Sequence, residues 1–167
     1  MIKNSAERNI GILKDFYDKV PSGDLKFYEE LANKAISLEY YPKREKVSKI
    51  SIAFSNRKTK KTILKFDEGK ERCSFRIKFY ANKKYSKIFS DSVKDVIEEF
   101  NFKYVGCYGC GKCKKEKLGY NIEYNDGRKY FRCGGELIPI KTITKDIVEE
   151  TIKMMEIQHK GFLEELE

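Results

Sequence analysis

Four cysteines in this chain are spaced as metal ligands are. Cys107-Tyr108-Gly109-Cys110-Gly111-Lys112-Cys113 is followed, after nineteen intervening residues, by Cys133-Gly134-Gly135. Four thiolates can close a tetrahedral shell around Zn²⁺ and leave no open position, which makes such a site structural rather than catalytic. Gly109 and Gly111 let the backbone turn tightly, so that its amides can point at the sulfurs. The expected role of Cys107, Cys110, Cys113 and Cys133 is therefore a structural zinc site, stapling a segment with little core of its own. Two other chemistries fit the same residues. C-x₂-C-x₂-C also wraps a 4Fe–4S cluster whose fourth cysteine comes from elsewhere, and cysteines at i and i+3 can serve as a redox dithiol or thiol-based sensor. An ordinary zinc ribbon is not matched, because Tyr130 stands where a second C-x₂-C pair would begin.

The fifth thiol, Cys73, lies far from the others and is expected to be a structural thiol beside a strand. An odd count of five argues against a disulfide framework. His159 is the sole histidine; it falls on the apolar stripe of the last helix and reads as a packed core-edge residue, with a second role open to it as a replacement for Cys113. No Gly-rich phosphate loop follows a strand and no serine elbow occurs. Acid pairs such as Glu98-Glu99 and Glu149-Glu150 do not face one site. A non-enzymatic binding or interaction module is the expectation.

Charge points to a second kind of partner. The 167 residues carry a formal net charge of +9. Residues 43–87 hold sixteen Lys and Arg against four acids, a net of +12, which leaves −3 for the remainder. A clustered positive field attracts phosphate backbones or an acidic protein. Candidate nucleic-acid contacts are Lys49, Arg57, Lys58, Lys60, Lys61, Arg76, Lys78, Lys83 and Lys84, with Tyr80 and Tyr85 as stacking groups. Against this, only seven of the 35 basic residues are Arg, the side chain suited to bidentate phosphate contacts. A lysine-rich surface also serves solubility.

The elements that must position these groups follow from periodicity. Ile10, Leu13, Phe16, Tyr17 and Val20 recur at helical spacing, as do Leu25, Tyr28, Leu31, Ala32, Ala35 and Ile36 after a Pro21-Ser22-Gly23 break with Asp24 as cap. The period then becomes two over Ile50–Phe54, Thr62–Phe66 and Phe75–Phe79, predicting an antiparallel meander. Its Ile50, Ile52, Phe54, Phe75, Ile77 and Phe79 should face the helices, and Ser51, Arg76 and Lys78 should face water. Ser90 is expected to cap a short helix bearing Val93, Val96, Ile97 and Phe100. A hairpin should join Tyr120–Tyr124 to Tyr130–Cys133 through Asn125-Asp126-Gly127, and Thr144 should cap a closing helix after Pro139.

The expected fold is α+β, with N-terminal helices packed on an antiparallel β-meander, a four-cysteine knuckle and hairpin, and a C-terminal helix. It is organised as one domain over residues 1–167, with a metal-binding knuckle-and-hairpin subdomain at 104–136. No apolar run approaches the roughly 18 residues of a membrane span. Met1–Glu7 shows no apolar signal segment, so no membrane association and a cytoplasmic location are expected. From the hairpin sheet through C-x₂-C-x₂-C, the G-Y-x-I-x-Y hairpin, Cys133-Gly134-Gly135 and the final helix, residues 45–160 resemble small uncharacterised bacterial α+β domains. That resemblance implies a structural metal site at the cysteines and no reaction.

Overall fold

The computed structural model describes residues 5–167; the first four residues, part of the stretch read above for an export signal, lie outside the described residues. The fold is α+β. Two helices come first, α1 (Ser5–Tyr17) and α2 (Leu25–Ser37). A sheet follows, with β1 (Tyr41–Arg44), β2 (Ser51–Ser55), β3 (Thr62–Glu68) and β4 (Cys73–Ile77). The chain continues through α3 (Lys87–Phe102), a hairpin of β5 (Gly119–Glu123) and β6 (Lys129–Cys133), β7 (Ile138–Ile140) and α4 (Lys145–Glu164).

The five-stranded sheet has the order β1-β2-β3-β4-β7, antiparallel throughout. Cross-strand register lines up Ile52, Phe66, Phe75 and Ile140 in one row, and Phe54, Leu64, Ile77 and Ile138 in the next. All eight are buried, because the two-residue period of a strand sends them to the same face. The helices supply what covers that face. Tyr28, Leu31, Ala32 and Ala35 of α2 sit at i, i+3, i+4 and i+7 and are buried. Phe16 of α1 stacks on Phe66 with ring centroids 5.0 Å apart, and Tyr28 meets Phe66 edge-on at 5.1 Å.

The two outer strands were not foreseen. Pro42 and Pro139 each lie inside a short edge strand, β1 and β7. Proline is tolerated there because an edge residue can do without one ladder donor, and it blunts an edge that would otherwise pair with another chain.

The polar face also departs from expectation. Ser51 and Lys78 are buried, and Arg76 is half-buried. The Ser51 hydroxyl lies 2.8 Å from Asp67 and 3.0 Å from Glu45, Arg76 grips Asp67 with two nitrogens at 2.8 and 2.9 Å, and Lys65 pairs with Glu45. Long charged side chains lie flat over the sheet and cover the smaller ones beneath.

Helix ends differ in detail. Thr144 caps α4 by accepting from the Ile147 amide (3.4 Å), as expected, whereas Asp24 makes no side-chain cap bond. The third helix starts earlier than expected, after Ser86 rather than Ser90. It breaks at Glu99, and Phe100, Asn101 and Phe102 follow with φ of 50°, 56° and 61°. Arg132 secures this break, donating to the Val96 carbonyl (3.0 Å) and to Glu99 (2.9 Å). A buried guanidinium thus satisfies the Val96 carbonyl, which the broken helix no longer pairs, and is itself held by the Glu99 carboxylate.

Candidate anion-binding site

The hairpin brings part of the cysteine cluster to the end of the sheet. Gly106 forms a parallel bridge with Arg132, and its amide donates to Phe131 at 2.5 Å, so Cys107 and Cys133 follow in matching register. Each of these two sulfurs accepts a backbone amide, Gly109 on Cys107 (3.4 Å) and Gly135 on Cys133 (3.5 Å). Convergence stops there. Cys107 and Cys110 are exposed, Cys113 is half-buried and Cys133 is buried. Among the described residues no group of three or more His, Cys, Asp or Glu side chains is placed to hold a metal ion. The reading of the chain as an interaction module built on a structural four-cysteine zinc site is corrected accordingly. Gly106, Gly109 and Gly111 at φ of 93°, 63° and 72° carry residues 107–113 across the surface. Cys133, in contrast, is drawn inward at the end of β6. Spacing along a chain sets how far apart ligands are, not the direction in which their side chains point.

The remaining thiol and the histidine are placed as expected. Cys73 is half-buried near the Lys19 carbonyl, and burial pushes its thiol up. His159 Nδ1 lies 3.1 Å from the Tyr40 hydroxyl, its ring edge-on to Tyr40, and burial holds its pKa below the ordinary value.

The nine basic candidates differ in position and in partners. Lys49 precedes β2 and Arg57, Lys58 and Lys60 follow it, so they occupy opposite ends of the sheet. Arg76 is committed to Asp67, and Lys61 to Glu165 at 2.8 Å. Lys83 and Lys84 follow the exit of β4 and are exposed, as are Arg57, Lys58 and Lys60. Neither proposed stacking tyrosine presents a free ring. Tyr80 packs edge-on to Tyr120 and Phe162 and donates its hydroxyl to Glu165 at 2.5 Å, while Tyr85 is edge-on to Phe79 at 5.0 Å. Both follow the exit of β4, and the rings that pack over them come from elements distant in sequence.

Lys78 is the exception among the cations. It is only 9% exposed, and its ammonium makes no hydrogen bond or ion pair among the described residues. Burial pushes its pKa down to about 8, with Lys61 and Lys112 pressing the same way and Glu165 opposing them. Its stem is covered by neighbours while the ammonium nitrogen still reaches water.

The surroundings of Lys78 are assembled from distant parts of the chain. The β2–β3 turn enters because the Lys78 amide donates to Ile63 (3.0 Å), which places the exit of β4 beside the start of β3. The end of α4 enters through Glu165, held by Lys61 and Tyr80. The cysteine segment enters through Lys112, whose charge acts on Lys78, and through Lys114, whose Nζ lies 3.5 Å from the Leu166 carbonyl. Gly134 packs directly under Tyr80: a Cβ there would lie 2.6 Å from a ring carbon. The exposed Lys112, Lys114, Lys115 and Lys117 thus lie on the segment that reaches the C-terminal end of α4 through Lys114, and the exposed Arg57, Lys58 and Lys60 on the turn that reaches it through Lys61, and together they form a basic rim.

The lysines of the cysteine segment were not among the sequence-derived contacts, because in sequence they serve as counter-charges for thiolates. Glu165 and the rim itself carry no local signal. Exposed cations gathered at the C-terminal end of α4 are suited to binding anions. Among the described residues no helix is long and apolar enough to cross a membrane. The chain matches no family model, no curated protein and no solved structure.

Proposed function

We propose that the protein binds nucleic acid through its phosphate backbone, using the basic rim at the end of the sheet. What supports this reading is one tertiary observation: two basic stretches about fifty residues apart, Arg57–Lys61 and Lys112–Lys117, meet around the C-terminal end of α4. Phosphates repeat along a strand at fixed spacing, so a continuous row of exposed cations gains several contacts where an isolated lysine gains little. The rim is built of lysine with one arginine, Arg57, and offers no free aromatic stack at Tyr80 or Tyr85. It therefore fits sequence-independent contact with the backbone, not readout of bases.

A salt titration tests this. Binding of generic single-stranded RNA and DNA, followed by fluorescence anisotropy, should weaken as salt rises. If about six phosphates are neutralised, the slope of log K against log salt is about −4. Replacing the exposed Arg57, Lys58 and Lys115 together by alanine should flatten the slope by about 2, since one variant then draws on both stretches. No binding at low salt, or binding insensitive to salt, overturns the reading. Equal binding of polyglutamate would make an acidic protein the partner instead.

A further inference from the structure

We infer that Phe100, with Tyr104 and Tyr108 beside it, is a stacking platform for the bases of a single strand of nucleic acid. The inference rests on the preceding reading and deepens it by naming single strands as the ligand class, since the bases of a duplex are already stacked on one another.

Phe100 is not placed as a core residue. Helical spacing puts it on one stripe of α3 with Val93, Val96 and Ile97, and those three are buried. The break at Glu99 turns it outward instead and leaves it 73% exposed. Phe100, Asn101 and Phe102 follow one another in the left-handed region, which residues carrying a Cβ disfavour. Arg132 holds this turn from beneath, through the Val96 carbonyl (3.0 Å) and Glu99 (2.9 Å). A strained backbone, held in place and used to present a phenyl ring to water, marks a contact surface.

Two more exposed aromatic residues continue from it. The Tyr104 ring stands edge-on to Phe100 with centroids 5.6 Å apart, and the Arg132 guanidinium lies 5.5 Å from the Tyr104 centroid. Arg132 also reaches Glu136 (3.8 Å), which accepts from the Tyr108 hydroxyl (3.1 Å). Four residues beyond Tyr108 the exposed lysines of the cysteine segment begin, so the aromatic row runs into the basic rim.

Charge selects the partner. Lys103 is exposed, has no acid partner among the described residues, and holds its Nζ 5.4 Å from the Tyr104 centroid. The neighbouring acids are already engaged: Glu98 by the Tyr124 hydroxyl, Glu99 and Glu136 by Arg132. A base can therefore lie on Phe100 while an adjoining phosphate meets Lys103, and the strand continues toward Lys112–Lys117. An apolar protein surface would gain from Phe100 but nothing from the lysines that flank it.

Fluorescence anisotropy tests the platform by comparing a single-stranded oligonucleotide with an abasic phosphodiester strand of equal length, which keeps the phosphates and lacks the bases. The parent should bind the base-bearing strand about tenfold more tightly, as one stacked base implies. Phe100→Ala should lose that preference while keeping the parent's salt slope and urea midpoint. Phe100→Trp should retain it. Because the chain has no tryptophan of its own, the emission of that variant should be quenched by the oligonucleotide and not by the abasic strand. Equal affinity of the parent for both strands, or a preference untouched by Phe100→Ala, overturns the platform and leaves the backbone reading standing. A preference lost in Phe100→Ala, with a salt slope unmoved by the Arg57, Lys58 and Lys115 substitutions, keeps the platform and removes the rim. Binding of neither strand removes both.

Discussion

Replacing Lys78 by methionine should make the protein more stable, and by an amount that depends on pH. Methionine keeps the length and apolar stem of the side chain and removes the ammonium. In the folded protein that ammonium titrates near 8, against an ordinary value of 10.5. At about 1.4 kcal/mol per unit, burying the charged form costs about 3 kcal/mol. The sign follows from proton counting. Between about pH 8 and 10.5 the unfolded chain holds the proton that the folded chain has released, so the penalty is whole below pH 8 and fades as pH rises through that window. Lys78→Met should therefore gain about 3 kcal/mol near pH 7 and only about 1.4 kcal/mol near pH 9.5. Urea unfolding of parent and variant at matched pH measures the difference directly. The buried tyrosines titrate alike in both proteins and cancel. A variant less stable than the parent at neutral pH would refute the argument, as would a gain that stays flat between pH 7 and 9.5.

Two further outcomes test the geometry around that site. In the native protein a thiol reagent should modify the exposed Cys107 and Cys110 first, Cys113 more slowly, and the buried Cys133 only on unfolding; equal rates for all four would contradict this placement. Gly134→Ala should lower stability by about 1–3 kcal/mol, because the added Cβ would lie 2.6 Å from the Tyr80 ring and 2.8 Å from the Leu118 carbonyl. A urea midpoint unchanged by that substitution would show that the hairpin does not pack on Tyr80.

Much of the fold was legible because burial imposes a period on each element. The two-residue alternation of Ile52 and Phe54, and of Phe75 and Ile77, marked the strands and the face they bury, and α2 announced itself through Tyr28, Leu31, Ala32 and Ala35. The edge strands were not legible. Pro42 and Pro139 are poor strand residues, and only a neighbouring strand with free hydrogen-bonding groups recruits such segments into a sheet. Nor was the fate of Ser51 and Lys78, which alternation assigns to water and which their neighbours cover.

The functional residues divide in the same way. From the sequence alone came the net charge, its concentration in residues 43–87, the five cysteines and their spacing, since these are properties of composition and order. Which cations remain free was decided by tertiary structure: Arg76 and Lys61 found acids, Lys49 went to the far end of the sheet, and Lys112–Lys117 arrived from elsewhere. The metal reading turned on the same distinction. Cysteine spacing is a one-dimensional fact, whereas coordination requires four side chains to converge, and glycines at positive φ sent residues 107–113 along the surface instead. Local order sets which groups a chain possesses; long-range contacts set which of them are left without a partner, and binding begins with those.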